Sequence, residues 1–286
     1  MWRKLKSFLK IMVGLVSLIL VVLIILFYRF STPKSDVKIE QEFSKSNVNA
    51  YILHEDFKNF TYRLIATQEK LDSLLPTIVF IHGSIGSALD FKKYMTDARL
   101  NEAANLISYD RIGYGIHHTG DVQESILFES QMLQHILEDV DPKKTIIVGY
   151  SYGGPIALAI KNKVKSIILL APAVYSEVEP MPWVLNIYKW RFTRWLLPKI
   201  WEAASKEKLS HSLDLKNFEQ NWQAHKSKIV SIHGKEDWIV PFENSEFLQR
   251  KFPKDQFDLI MLDDAGHSLV WTNFEEIKTV LMEQLN

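Results

Sequence analysis

The sequence predicts an α/β domain, a doubly wound and mostly parallel sheet with helices on both faces, carried behind one N-terminal membrane helix. Three observations predict it. Short apolar runs rich in β-branched residues alternate with stretches of helical spacing. Several runs, such as Thr-Ile-Val-Phe-Ile at 77–81 and Ser-Ile-Ile-Leu-Leu at 166–170, are apolar on both faces, as strands inside a helix-covered sheet are. Near the N-terminus, eighteen consecutive residues at 11–28 carry no charge. Finally, 47% apolar against 24% charged residues in a chain of 286 is the balance of a packed protein with a sizeable core.

Residues 1–10 are basic (Arg3, Lys4, Lys6, Lys10) and read as a cytoplasmic segment. The anchor follows at 11–30, and its uncharged run makes about 27 Å of helix, against a hydrocarbon core of about 30 Å. A cleaved signal peptide has a shorter apolar stretch and ends at a small-x-small site. This one ends in Leu26-Phe27-Tyr28-Arg29-Phe30, so an uncleaved anchor is expected. Four basic residues precede the span, and Arg29 and Lys34 follow it. That bias puts the N-terminus in the cytoplasm and the rest of the chain on the far side of the membrane, which in a bacterial host is the periplasm or extracellular space. Residues 31–47 are polar and read as a stalk.

The domain proper is expected at 48–286. Strand candidates lie at 50–54, 60–66, 77–81, 105–109, 145–148, 166–170, 228–233 and 258–262, and the first two form an opening hairpin. Helical spacing at 125–140 and 273–284 supplies two of the covers. The alternation breaks at 173–227, where no strand candidate occurs. An excursion of that size from a sheet is usually a cap or lid. Between 180 and 201 it holds Lys189, Arg191, Arg194 and Lys199 and no acid, interleaved with Trp183, Tyr188, Trp190, Phe192 and Trp195. Such a segment can lie in a membrane interface, or it can bury its tryptophans over a pocket with its charges solvated; both readings stay open.

Charge and cysteine content exclude whole classes. The 34 basic and 34 acidic groups cancel, so the chain is not a broadly basic nucleic-acid binder. The neutrality joins unlike parts, because residues 1–35 hold six basic groups and no acid, leaving 28 basic against 34 acidic groups beyond. Cysteine is absent, which removes disulfides, thiol nucleophiles and thiolate metal sites.

In α/β sheets ligands bind beyond the carboxyl ends of the strands. The candidate at 145–148 runs into Gly149-Tyr150-Ser151-Tyr152-Gly153, a G-x-S-x-G turn followed by helical residues. Alone the pattern is weak, since a serine in a glycine-rich turn is common. Two further strand ends strengthen it: Asp237 lies one loop beyond 228–233 and His267 one loop beyond 258–262. A serine hydroxyl needs a base within hydrogen-bond reach, and that base needs an acceptor to fix its tautomer. The chain order Ser, Asp, His supplies all three.

With these residues the sequence resembles the α/β-hydrolase superfamily over about 48–286. The resemblance rests on His82-Gly83-Ser84, on Asp110-Arg111-Ile112-Gly113-Tyr114-Gly115, on the Ser151 turn with Gly154, and on the Asp237 and His267 loops. It implies an eight-stranded sheet with a helical cap after the sixth strand. It also implies an oxyanion hole from the backbone N–H groups of Ser84 and Tyr152. A serine at the elbow argues against epoxide hydrolase and haloalkane dehalogenase chemistry and leaves acyl transfer to water or another acceptor.

The expected catalytic residues are therefore Ser151, His267 and Asp237, with Ser84 and Tyr152 as oxyanion donors. His233 and His82 are expected to be structural, as is the Asp110-Arg111 turn. Asp263 and Asp264 adjoin His267 too closely in the chain to meet it side chain to side chain. His117-His118 lacks the spacing of a metal site. No metal or cofactor is expected. The partners are an apolar acyl substrate and a membrane, met through residues 11–30 and the cap, and no nucleic acid. Ester, thioester or amide cleavage leads. An acyltransferase, a cofactor-free peroxidase and a non-catalytic membrane-tethered scaffold remain as alternatives.

Overall fold

The alternation of side chains along buried strands sorts the core into two layers. Ile78 and Phe80 pack on one face with Leu106, Ile146 and Ile168, while Val79 and Ile81 pack on the other with Ile107, Ile147 and Ile167. The structure in which they do so is a computed structural model that describes residues 2–285. Met1 of the basic segment and Asn286 of the expected domain lie outside those residues.

The strands are β1 (Tyr51–Phe57), β2 (Phe60–Ala66), β3 (Thr77–Ile81), β4 (Asn105–Tyr109), β5 (Thr145–Tyr150), β6 (Ser166–Leu170), β7 (Lys228–Gly234) and β8 (Phe257–Leu262). They form one eight-stranded sheet in the order β1-β2-β4-β3-β5-β6-β7-β8. β2 pairs antiparallel with β1 and with β4, and the remaining pairs are parallel. This is the expected fold class, with strand ends moved by a few residues. β5 continues to Tyr150 and β7 to Gly234, so both run directly into the loops that carry the candidate site residues Ser151 and Asp237. The expected helix at 125–140 runs from Ile126 to Ile136, where Ser125 Oγ accepts from the Phe128 N–H at 3.2 Å and caps it.

The expected stalk is corrected. Within 31–47 a helix, Asp36–Ser44, docks on the domain with Ile39 and Phe43 fully buried against the core layer of Ile78 and Phe80. The stretch is polar on average, but Ile39 and Phe43 stand at i,i+4 and therefore share one helix face, while Val37 faces solvent. Asp36 adds a 3.0 Å ion pair with Arg63. No long free tether therefore separates the first helix from the domain.

That first helix, Trp2–Phe30, is 29 residues, about 43 Å. None of its described residues is buried, so its apolar surface has no cover within the chain. Its far end abuts the cap. Trp201 Nε1–H donates to Ser31 Oγ at 2.9 Å, and the Phe27 and Trp201 ring centroids lie 5.2 Å apart. Tyr28 Oη donates to the Trp195 carbonyl at 3.4 Å.

The cap lies between β6 and β7 and is helical, with turns at Leu185–Lys189 and Arg191–Arg194 and a longer cap helix, Lys199–Leu215. Trp183 is 79% and Trp195 71% exposed, and Trp190 and Phe192 also face outward. Trp183, Trp190 and Trp195 thus lie on the surface of this segment, whereas Trp201 turns inward to line a cavity and Trp222 is buried in the core.

If Asp36–Ser44 is part of the core, Phe43→Ala lowers the unfolding free energy by about 3–5 kcal/mol. A thermal melt of the detergent-solubilised protein measures this, and a solvated stalk would leave the midpoint unmoved.

Candidate active site

The nucleophile candidate sits where β5 turns into the helix Gly153–Leu158. Ser151 has φ +53°, a left-handed conformation that costs a side-chain-bearing residue about 1–3 kcal/mol. The turn holds it there because its flanks have no room for side chains. A Cβ at Gly149 would fall 2.4 Å from the Gly153 carbonyl oxygen, and one at Gly153 would fall 2.4 Å from that of Ile81. The Ser151 N–H donates to the Leu170 carbonyl at 2.9 Å, tying the turn to β6.

The structure brings the three predicted side chains together. His267 Nε2 lies 3.1 Å from Ser151 Oγ, and His267 Nδ1 lies 2.8 Å from Asp237 Oδ2. The second oxygen of Asp237 accepts from the N–H groups of Ile239 and Val240 at 3.0 and 2.8 Å. Tyr150 Oη donates to the His267 carbonyl at 2.8 Å and holds that loop to the nucleophile's own strand. Burial of Asp237 would raise its pKa, but hydrogen bonds from His233 and His267, the His267 charge and the Val240 N–H outweigh it. The carboxyl is held well below the usual range and stays ionised.

The rivals fall into the expected places. Asp263 pairs with Lys235 at 2.6 Å on the surface, away from His267. His82 is fully buried, with Nδ1 2.7 Å from the Gly83 carbonyl and Nε2 accepting from the Arg111 N–H at 3.0 Å. Burial, aided by the Arg111 charge, pushes its pKa well below that of free histidine, so it is a neutral brace for the loop. His233 is buried with Nδ1 2.7 Å from Ser245 Oγ and Nε2 2.9 Å from the Val240 carbonyl. Its Nε2 also lies 3.4 Å from Asp237 Oδ2, a contact the sequence did not suggest.

Ser84 and Tyr152 both line a cavity of about 420 Å³ that opens beside Ser151. Among the described residues neither backbone N–H has a partner, so both are free to donate to a bound oxyanion. The cavity walls are predominantly apolar, formed by Ile85, Val184, Leu185, Leu197, Trp201 and Ile239. An ion pair between Lys208 and Glu179 forms one polar margin.

Beneath the Ser84 loop lies a charged cluster that sequence reading missed. Glu207, from the cap helix, pairs with Arg111 and accepts from Ser84 Oγ; Tyr114 Oη also donates to it, at 2.6 Å. Arg111 stacks at 4.4 Å on the Tyr152 ring and at 5.0 Å on that of Tyr114. Glu129 stands 3.6 Å from the same guanidinium without a hydrogen bond. Burial pushes Glu129 up to about 7, against the attraction of Arg111. A signal for Glu207 does exist in the sequence. Ala203, Glu207, His211 and Leu215 recur every four residues, and all four are buried on the inner face of the cap helix.

The comparisons with known proteins agree with the fold. The model of the alpha/beta hydrolase family matches residues 78–278. Among solved structures the chain is similar to a lipase candidate from Acinetobacter baumannii, at 18% identity and TM-score 0.67, over 88% of this chain and 97% of that one. It is similar to a membrane phospholipase A described as a bacterial virulence factor, at 13% identity and TM-score 0.64, over 96% and 97% of the two chains. It is similar also to an esterase from Exiguobacterium antarcticum, at 16% identity and TM-score 0.60, over 80% and 99%. At these identities the likeness is one of fold. Among curated proteins, 136 residues are 27% identical to Protein PHYLLO, chloroplastic, of Arabidopsis thaliana, covering 43% of this chain. The chain spans 8% of that protein's length.

The raised pKa of Glu129 has a sign. The folded state holds its proton up to about pH 7, while the unfolded chain releases it near 4.5, so folding loses stability as pH climbs between those values. Glu129→Gln removes its own share of that decline, so melting curves across the interval come out flatter than those of the wild type, while the like contribution of Asp90, also pushed up to about 7 by burial, stays in both. Asp237, displaced in the opposite direction, acts only below the ordinary carboxylate range and does not mask the effect.

Proposed function

The chain belongs to the alpha/beta hydrolase family, and we propose that it is a membrane-anchored serine hydrolase that cleaves an ester-type bond with an apolar acyl group. The single observation that carries the reading is the unbroken line from Asp237 through His267 to Ser151, at 2.8 and 3.1 Å, opening on an apolar cavity.

Asp237 remains ionised and accepts the His267 Nδ1–H, which leaves the Nε2 lone pair facing Ser151 Oγ. As Oγ attacks the acyl carbonyl carbon, Nε2 takes the serine proton. The negative charge that grows on the carbonyl oxygen is met by the Ser84 and Tyr152 N–H groups, each worth about 2.7–4 kcal/mol at the transition state. The bond from the acyl carbon to the leaving group, C–O in an ester, C–S in a thioester or C–N in an amide, then breaks. His267 returns its proton to the departing alcohol, or to a thiol or amine in a thioester or amide, and the acyl group stays on Ser151. Water, deprotonated by His267, attacks the acyl carbon; the bond to Ser151 Oγ breaks, His267 returns the proton to Oγ, and the acid leaves. No step needs a metal or cofactor. Only the neutral imidazole can accept the proton in this step.

The membrane part of the reading is supported by the uncovered apolar helix Trp2–Phe30 and the basic residues before it. The likeness to a membrane phospholipase A extends over 96% of this chain, a share that takes in most of that helix. In the proposed topology the N-terminus is cytoplasmic and the domain lies on the other side. The exposed Trp183, Trp190, Phe192 and Trp195, with Arg191, Arg194 and Lys199 among them, form a second contact with the bilayer. A carboxylic ester derived from membrane lipid fits that placement and the apolar cavity.

Ser151→Ala and His267→Ala each cost about 10⁴-fold or more in turnover of a p-nitrophenyl ester without lowering the melting point, and Asp237→Asn costs about 10⁴-fold. A fluorophosphonate labels Ser151 in the wild type and not in Ser151→Ala. An unlabelled wild type would favour a non-catalytic scaffold. A chain lacking residues 1–30 keeps its fold and still co-sediments with anionic vesicles, and neutral vesicles hold less of it. Equal recovery in the supernatant with and without vesicles would reject the cap contact.

A further inference from the structure

We propose that Glu207 is a positioning residue for the oxyanion hole, so that the seating of the cap and the ordering of the Ser84 loop are one event. The proposal rests on the serine hydrolase reading above and deepens it. Glu207 belongs to the cap helix, whereas Ser84 belongs to the loop after β3 and Arg111 to the turn after β4. Its carboxylate gathers all three regions: it accepts from Ser84 Oγ, from Tyr114 Oη at 2.6 Å, and from Arg111 Nη2. It does not line the cavity and touches no substrate.

The consequences reach both oxyanion donors. Ser84 Oγ is fixed by Glu207 directly, which sets the backbone to which its N–H belongs. Arg111, held by Glu207, donates from Nη1 to the Gly83 carbonyl at 3.3 Å and lies 4.4 Å under the ring of Tyr152, the residue with the other donor. Glu207 is almost fully buried, as are Arg111 and Tyr114, so these bonds act in a medium that excludes competing water. If the cap helix lifts, the carboxylate leaves with it. Ser84 then loses its acceptor, and of its two carboxylates Arg111 keeps only Glu129, at 3.6 Å. The same helix carries Trp201, which meets the outer end of the first helix at Phe27 and Ser31. The oxyanion loop is thus connected through one rigid element to the place where the chain leaves its anchor.

A purely structural Glu207 would stabilise the domain and leave the chemistry of the folded protein alone. The two roles separate in kinetics. The full-length protein in detergent micelles is assayed with p-nitrophenyl butyrate, and fluorophosphonate labelling of Ser151 is timed in parallel. Glu207→Gln is expected to lose about 10- to 100-fold in kcat while KM stays within about threefold, with labelling slowed by the same factor as kcat. Ser84→Ala keeps the backbone N–H and removes only the hydroxyl, and it is expected to slow kcat likewise. The double variant is expected to be no slower than the slower single one, because both break the same link. Wild-type kcat in a folded Glu207→Gln overturns the proposal, and so do losses that multiply in the double variant. If Glu207→Gln does not fold, Ser84→Ala decides alone, and an unchanged kcat overturns the proposal. A wild type that neither hydrolyses nor labels overturns the serine hydrolase reading and this proposal with it. An active wild type beside an indifferent Glu207→Gln overturns this proposal only.

Discussion

The turn at Ser151 is the constraint on which the site depends. A residue with a side chain is held in left-handed backbone geometry between a strand buried on both faces and a helix packed against it. Nothing local favours that conformation. It persists because β5 is clamped by β3 and β6 on either side, and because the chain passes itself at Gly149 and Gly153 more closely than any Cβ allows. A sheet interior rigid enough to hold the strain also fixes where the neighbouring strands end. β7 and β8 are the next strands beyond β6, so the loops that follow them open on the same edge as Ser151. Asp237 and His267 can therefore meet the nucleophile although 30 and 116 residues of chain separate the bonded pairs.

Buried charge forms a second layer beneath that edge. Arg111 is fully enclosed, and desolvation of a guanidinium is tolerable only with close anionic partners. Two carboxylates serve one cation. Glu207 takes the direct contact, and Glu129, left at a distance, retains its proton to about pH 7. An arrangement of this kind is a poor device for stability, since apolar side chains of similar volume commonly pack as well or better. What it supplies here is direction. The guanidinium and carboxylate give fixed hydrogen-bond geometry to Gly83, Ser84 and Tyr114, which dispersion contacts would not.

The strands were legible because a strand covered on both faces must be an unbroken apolar run, and helices or loops of this chain seldom imitate one. The candidate constellation of Ser151, Asp237 and His267 was legible because each member follows such a run within one loop. The helix Asp36–Ser44 was not, because two buried residues among seven polar or exposed ones vanish in a regional average. Its docking shows only in the i,i+4 spacing of Ile39 and Phe43. Glu207 was hidden for a different reason. It stands between Lys206 and Lys208 in a helix with charged residues on its outer face, and its partners Ser84, Arg111 and Tyr114 lie 93 to 123 residues away. The outward direction of Trp183, Trp190 and Trp195 was equally out of reach, since turns of four or five residues have no periodicity from which to read a face.

The docked helix changes what the uneven charge means. A flexible stalk would let the acidic body of the domain drift at any angle below an anionic surface, and its net charge of −6 beyond residue 35 would push it away. With Ile39 and Phe43 buried and Ser31 bound to Trp201, little free chain remains, and the orientation is set by contacts. Those contacts place the acid-free stretch of the cap beside the C-terminal end of the first helix, the outer end of the proposed anchor, where Tyr28 reaches the Trp195 carbonyl. A bilayer surrounding the anchor would therefore meet the basic and aromatic part of the domain first and leave the acidic remainder in solvent. Trp201 lies at the junction, with one side toward Phe27 and the other on the cavity that holds Ser151. An acyl chain entering past that residue would pass from lipid to an apolar pocket without crossing the charged surface.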